Sequence, residues 1–290
     1  MIFWRSFAVI AALAAILVGL RGGHWVWGGA HIARLTVSGL ITENRKLDEA
    51  VTKLADDDSA KALLVVVDSP GGSVAGGEAL HDAIARVAAK KPVVTVMGGV
   101  AASAGYMISV PAARIFAREG TLTGSIGVLL EAPEFSGLLK SIGVNTDTIV
   151  SGPLKDQPSL TKPLSPEGRQ VLQALVSDMY DQFVGMVASG RHMEVARVRE
   201  LADGRAYTGR QALQLGLIDA IGGEHEARQW LAQTKGIAAD LPVEDVSTSS
   251  FTDRAFASSL GWMANHVWKI LFSQGVILDG AWAVWQRSED

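Results

Sequence analysis

The run Ala62 to Val67 (Ala-Leu-Leu-Val-Val-Val) constrains this chain more than any other segment. Six apolar residues, half of them β-branched, are too few for a helix and suit a strand buried on both faces. The run stops at Asp68-Ser69-Pro70-Gly71-Gly72, where proline and paired glycines predict a turn. A strand covered on both sides belongs to a parallel sheet, and parallel strands need crossover helices. The flanking sequence supplies them. His31 to Val37 alternates as a first strand, Leu47 to Ala55 and Gly77 to Ala89 read as helices, and Pro92 to Val96 reads as another buried strand. A strand near Ile126 to Leu130, a helix near Phe135 to Ile142 and a strand at Asn145 to Val150 continue the pattern. Ser165-Pro166-Glu167 then opens a long helix, with serine as cap and proline at the first position. Leu172, Leu175, Val176, Met179, Phe183 and Val187 form an apolar stripe along it, and further helical segments finish the domain near Lys235. The expectation is an α/β fold on a largely parallel sheet.

The two ends of the chain differ from this middle. Phe7 to Leu20 carries no charge, and a helix from Ile2 to Leu20 would be roughly 28 Å long, near the thickness of a bilayer's hydrocarbon core. Residues 1–22 are therefore read as a signal anchor or transmembrane helix, with 23–30 as a juxtamembrane linker. A cleavable signal peptide is the rival, because Ala12-Leu13-Ala14 resembles a processing site. Arg5 on one side and Arg21 and Arg34 on the other leave orientation open. Residues 31–240 form the expected folded domain, and 241–290 a tryptophan-rich helical tail. Seven of the eight tryptophans lie near the termini, which suits either a packed terminal helix or one at a membrane–water boundary.

Composition removes several chemistries. The chain has no cysteine, which excludes disulfides, thiolate nucleophiles and cysteine-ligated metal sites. A formal net charge of -4 without a basic block gives no electrostatic footprint for nucleic acid. What remains is three glycine-rich turns. Ser69-Pro70-Gly71-Gly72 follows a buried strand, where paired glycines let backbone N–H groups face a ligand and form an oxyanion hole. Gly98-Gly99-Val100-Ala101-Ala102-Ser103-Ala104-Gly105-Tyr106 surrounds a single hydroxyl with small residues, and Ser103 would sit at a helix start. Thr123-Gly124-Ser125-Ile126-Gly127 could be a bend entering a strand. Alone, each is equally an ordinary turn or helix cap.

A nucleophilic serine needs a base. None of His24, His31, His81, His192, His225 and His266 lies in a glycine-rich or strand-end setting, and each reads as a surface or helix residue. A lysine is the remaining option, provided burial lowers an amine pKa of about 10.4 by roughly 2–3 units. Lys140, Lys155 and Lys162 stay equivalent on this reasoning.

Taken together, the motifs resemble the bacterial signal peptide peptidase A family, of the short, half-length type. The matching stretches run in family order: DSPGG (Asp68 to Gly72), GGVAASAGY (Gly98 to Tyr106), LTGSIGV (Leu122 to Val128), SGPLKD (Ser151 to Asp156) and RAYTGRQALQLGLIDAIGG (Arg205 to Gly223). They cover about residues 31 to 235. The resemblance implies a Clp-protease/crotonase-like fold of ββα units and a serine endopeptidase with a serine–lysine dyad. Ser103 matches the nucleophile, Lys155 the base and Ser125 the residue that hydrogen-bonds the lysine. Gly71 and Ala104, with Gly72 nearby, match the oxyanion-hole region. Ala104 stands where the family commonly has glycine, so the N–H is kept and conformational freedom lost. The resemblance further implies ring-like homo-oligomers with each dyad completed across neighbouring protomers. It also implies a single-pass protein of the cytoplasmic membrane with an extracytoplasmic catalytic domain, degrading remnant signal peptides without metal or nucleotide. The rivals are a crotonase-type enzyme acting on acyl-CoA thioesters and an inactive membrane scaffold of the same family.

Overall fold

Three long parallel strands carry the molecule, and their burial follows the period of two that a pleat imposes. The computed structural model describes residues 29–247, so the expected membrane helix at 1–22, most of the linker and nearly all of the tail lie outside the described residues. Strand β1 is His31–Ile41, helix α1 Arg45–Lys53, β2 Ala60–Gly72, α2 Val74–Ala88 and β3 Val93–Ala102. Along β2, Leu63, Val65 and Val67 enter one core while Ala62 and Leu64 enter another, which is why that segment is apolar throughout. The first core lies under α2 (Leu80, Ile84, Val87) and the second under the later helix α8, Glu224–Lys235 (Ala227, Leu231). Each such large aliphatic side chain stabilises the fold by about 1.5–3 kcal/mol. Caps fix the helix starts: Asn44, Ser73 and Ser165 accept from the N–H groups of Leu47, Gly76 and Gly168.

Shorter elements complete the sheet. They are α3 Ala104–Met107, β4 Arg114–Ala117, β5 Leu122–Gly124, α4 Ser136–Ser141, α5 Pro166–Arg191, α6 Val195–Leu201, β6 Ala206–Thr208, α7 Gly209–Gln214, β7 Ala220–Ile221 and β8 Val243–Asp245. The order across the sheet is β6-β5-β3-β2-β1-β8, with β4 joining β3 to β7. All pairs are parallel except β5 with β6. One edge of β3 serves two partners: β4 pairs with Val94 to Met97, and β5 with Val100 to Ala102. The break falls at Gly98-Gly99, where the register against β2 also shifts. Asp68 Oδ1 closes that bulge by accepting the Val100 N–H at 3.0 Å, and Thr121 Oγ1 braces it by donating to the Gly98 carbonyl at 2.7 Å.

Several sequence expectations need correction. Asp68 to Gly72 is no turn but the carboxyl end of β2, held against β1 with Leu40 opposite Gly71 and Ile41 opposite Gly72. The strand expected near Ile126 to Leu130 lies earlier, at Leu122–Gly124, because Ser125 takes φ 48 and breaks the extended run. Asn145 to Val150 forms no strand, and Ile149 is 97% exposed. On α5 only Phe183 and Val187 of the expected stripe are buried, while Leu175 is exposed. The sheet also takes β8 at Val243–Asp245, past the boundary drawn at 240; Arg34 holds it through two hydrogen bonds to Asp245, at 2.7 and 3.1 Å. The compact unit ends at Val246. Among the described residues no helix is long and apolar enough to cross a membrane.

Candidate active site

The carboxyl ends of β1, β2, β3 and β5 set four positions side by side. Leu40 opposes Gly71, Ser69 opposes Ala101, and Ala102 opposes Gly124. Ser103 and Ser125 each follow one of the last pair. The Ser103 N–H donates to the Gly124 carbonyl at 2.9 Å, which ties the end of β3 to the end of β5. Thr123 Oγ1, fully buried, adds a bond to the Ala101 carbonyl at 2.7 Å.

Ser103 joins β3 to α3 with φ 53 and ψ -120, a conformation foreign to residues with a side chain. Such a backbone costs on the order of 1–3 kcal/mol and persists only where the surroundings enforce it. Its carbonyl accepts from the N–H groups of Tyr106 and Met107, both at 2.9 Å, but its hydroxyl caps nothing. The ordinary explanation for a serine at a helix start therefore fails here. A strained serine raised on a strand-to-helix bend is a geometry that exposes a nucleophile.

Gly71 lies against it. At φ +123, a Cβ added there would stand 2.8 Å from Ser103 Cβ and 3.2 Å from its Oγ, so only glycine fits. The Gly71 N–H donates to the buried Ser69 Oγ at 3.1 Å. The Ala104 N–H, first in α3, has no hydrogen-bond partner among the described residues and is an open donor beside Ser103. Gly72 is packed onto β1, where a Cβ would overlap the Ile41 backbone. Ala104 itself fits because α2 presents Gly77 opposite it; a Cβ on Gly77 would come 3.0 Å from the Ala104 methyl.

Ser125 occupies a second left-handed bend, at φ 48. Its N–H donates to the Arg205 carbonyl at 3.0 Å and its hydroxyl to the Gly204 carbonyl at 3.2 Å. Sequence reasoning gave the Asp203 to Arg205 turn no role; the only signal was its place at the start of the RAYTG stretch. Ser69 and the brace from Asp68 were also unassigned.

Lys155 does not join this cluster within one chain. It is exposed on the loop between α4 and α5, where its N–H donates to the Gly152 carbonyl at 3.1 Å. Among the described residues its ammonium makes no hydrogen bond or ion pair. Of the other lysines, Lys162 lies 3.4 Å from Asp156 and Lys140 is exposed at the end of α4. The loop is anchored by the Phe135 N–H to the Leu160 carbonyl, at 2.8 Å, and by the Ser165 N–H to Gln157 Oε1, at 3.2 Å. The stretch 129–160 carries uncovered apolar side chains, with Leu129, Leu138, Ile142 and Leu160 all more than half exposed.

The described histidines serve elsewhere. His31 is a buried strand residue at the amino end of β1, against the expectation of a surface position, and contacts the Gly29 carbonyl. His81 pairs with Asp82, His225 with Gln229, and His192 ends α5 in a left-handed conformation. Among the described residues no group of acidic or histidine side chains could hold a metal.

This geometry has known counterparts. The sequence profile of Peptidase family S49 matches residues 85–238, and that of Clp protease matches residues 42–119. The chain is 43% identical over 210 residues to a Synechocystis sp. protein whose name assigns it to the proteases, covering 72% of this chain and 76% of that one. It is 36% identical over 252 residues to an Enterococcus faecium protein named for signal peptide peptidase SppA, covering 81% and 71%. Among solved structures, a mutant of the 1510-N membrane-bound stomatin-specific protease superposes with a TM-score of 0.52 at 16% identity, covering 76% of this chain and 99% of that chain. The last likeness concerns the fold alone, an α/β fold, and the Clp protease profile marks part of the same sheet.

Proposed function

The chain belongs to Peptidase family S49, the serine proteases of the SppA type, and from that premise we propose that it is a membrane-anchored endopeptidase cutting remnant signal peptides and other unfolded or membrane-associated peptides with Ser103 and Lys155. The observation that carries the reading is the strained Ser103, its hydroxyl uncommitted to capping, set between Gly71 and the open Ala104 N–H.

The chemistry follows. The neutral Lys155 amine takes the Ser103 Oγ proton as Oγ attacks the peptide carbonyl carbon. The carbonyl oxygen becomes an oxyanion, met by the Ala104 N–H and, once it leaves Ser69, by the Gly71 N–H. Collapse breaks the C–N bond, and the lysine ammonium passes its proton to the leaving amine. Lys155 then deprotonates a water that attacks the ester, and Ser103 regains its proton as the carboxylate product departs. Ser125 holds the lysine amine in line.

An amine in open water is protonated at neutral pH and cannot start this sequence. In our reading a second copy of the chain covers the apolar loop around Lys155, dries the amine and brings it to a Ser103, so the active form is a homo-oligomer with dyads shared between protomers. Residues 1–22 would tether this assembly to the cytoplasmic membrane as a single pass, with the catalytic domain outside the cytoplasm. Membership of a protease family disfavours the acyl-CoA alternative.

The test compares wild type with Ser103→Ala and Lys155→Ala in digestion of casein and a synthetic signal peptide, alongside fluorophosphonate labelling. Labelling at Ser103 and loss of cleavage in both variants are expected. Equal cleavage by all three proteins would remove the dyad, and a wild type that neither cleaves nor labels would leave a scaffold. Mixed oligomers of the two variants should regain part of the activity if dyads are shared.

A further inference from the structure

Which way Ser125 points its one proton matters as much as its presence. A hydroxyl has a single hydrogen to donate and two lone pairs with which to accept. If Ser125 donated to the lysine, it would occupy the nitrogen lone pair that must receive the Ser103 proton, and the base would be quenched. If it accepts an amine N–H instead, the lysine is oriented and its lone pair stays free. Resting on the serine–lysine reading above, we propose that the turn Asp203-Gly204-Arg205 is a positioning element that enforces the second arrangement, its Gly204 carbonyl taking the Ser125 proton.

Four observations converge on this turn. The Ser125 hydroxyl donates to the Gly204 carbonyl at 3.2 Å, so its proton is committed and only its lone pairs face outward. The adjacent Arg205 carbonyl accepts the Ser125 N–H at 3.0 Å, gripping the same residue by its backbone. The antiparallel register of β5 with β6, Gly124 opposite Ala206, brings the turn alongside the bend. Gly127 completes the contact, since a Cβ there would come 3.4 Å from Gly204 Cα.

The turn is itself braced. The Arg205 N–H donates to Asp203 Oδ1 at 3.1 Å, and Arg205 Nε reaches the same carboxylate at 2.9 and 2.7 Å. These bonds hold the Asp203 carboxyl below the usual carboxylate range, with the Arg205 side chain the larger influence and its N–H the next. Asp203 is thus an ionised acceptor at neutral pH. Gly204, at φ +89, lets the chain reverse between them so that two successive carbonyls point at one serine. Asp203 touches neither substrate nor the reacting atoms; it acts through Gly204 and Ser125.

The experiment measures kcat and KM for a signal-peptide substrate in the full-length protein. Asp203→Ala removes the acceptor that shapes the turn and should lower kcat about tenfold while KM stays within about twofold, because orientation of the base matters to the chemical step and not to binding. Asp203→Asn keeps an oxygen for the Arg205 N–H, so it should stay within about threefold of wild type. In a Ser125→Ala background, Asp203→Ala should add nothing. Melting temperatures and circular dichroism report on folding; Asp203 is exposed, so the alanine variant should fold, and Asp203→Asn supplies a milder reading of the same site. The proposal is overturned if folded Asp203→Ala keeps wild-type kcat, if Asp203→Asn is equally impaired, or if the aspartate still matters without Ser125. Failure of the underlying dyad looks different: wild type itself would neither cleave nor label.

Discussion

Gly71→Ala tests the site where its steric demand is most explicit. An added methyl carbon would lie 2.8 Å from Ser103 Cβ, whereas ordinary contacts begin at 3.4 Å, so one side must yield by 0.6 Å. Both neighbours are backbone-bound: Ser103 by its N–H to Gly124, and Gly71 by its pairing with Leu40 in β1. Overpacking of this kind costs about 1–3 kcal/mol. The φ of +123 adds about 1–3 kcal/mol for any residue with a side chain. Restriction of the unfolded chain returns about 0.4–1 kcal/mol. A net loss of about 2–5 kcal/mol should lower the melting temperature by roughly 4–20 °C in a domain of this size. Displacing a nucleophile by 1 Å can cost about a hundredfold in rate, so a shift of the calculated size should cost about ten- to a hundredfold. Thermal unfolding and the rate of fluorophosphonate capture at Ser103 read the two effects separately. Gly137→Ala is the control, because nothing lies within 4 Å of its added carbon. A Gly71→Ala protein with wild-type melting and wild-type capture would refute the packing described for Ser103.

Other consequences can be checked at sites away from Ser103. Asp219→Ala should be strongly destabilising, by about 3–5 kcal/mol in denaturant titration, because it strands the buried Arg191 guanidinium, which bonds Asp219 at 2.6 and 3.0 Å; Arg191→Met in the same chain should restore part of the loss. Gly185→Ala, in the middle of α5 with open space around it, should raise stability by about 0.5–1 kcal/mol. Asp57, whose carboxyl is held below the usual range chiefly by the Ser59 hydroxyl, should stabilise the fold fully above about pH 4 and cease to do so as pH falls through its lowered value. Urea midpoints of wild type and Asp57→Asn should therefore converge in acid, and a constant gap between them would contradict that account.

The parts legible in the sequence are those in which a long segment has one environment. Ala62 to Val67 could hardly be anything but a doubly buried strand, and Ser165-Pro166 marked the start of α5 without ambiguity. Illegible were strands of two to four residues such as Arg114–Ala117 and Ala220–Ile221, whose extended form comes from partners distant in the chain. Asn145 to Val150 misled because β-branched residues in a strand-like order remain exposed in this chain. Asp68 to Gly72 misled for the opposite reason: glycine and proline usually end a strand, but here the positive φ of Gly71 lets pairing with β1 run through them. The cluster of Ser103, Gly71, Ala104 and Ser125 was readable as glycine-rich motifs, yet choosing Lys155 over Lys140 and Lys162 needed the family resemblance. A lysine on an irregular loop has no periodicity to declare its role. The Gly204 carbonyl lay beyond sequence reasoning altogether, since every residue carries one.

The unfavourable backbone at position 103 bears on how such proteins lose activity. With Ser103 as the nucleophile proposed above, its exchange for glycine would abolish the hydroxyl and at the same time release the tension in the bend, leaving a sturdier, inert protein one substitution away. Decay into a passive relative is thus downhill for folding, and a chain that holds a serine in so uncomfortable a posture forgoes stability that mere peptide binding would give it no reason to surrender.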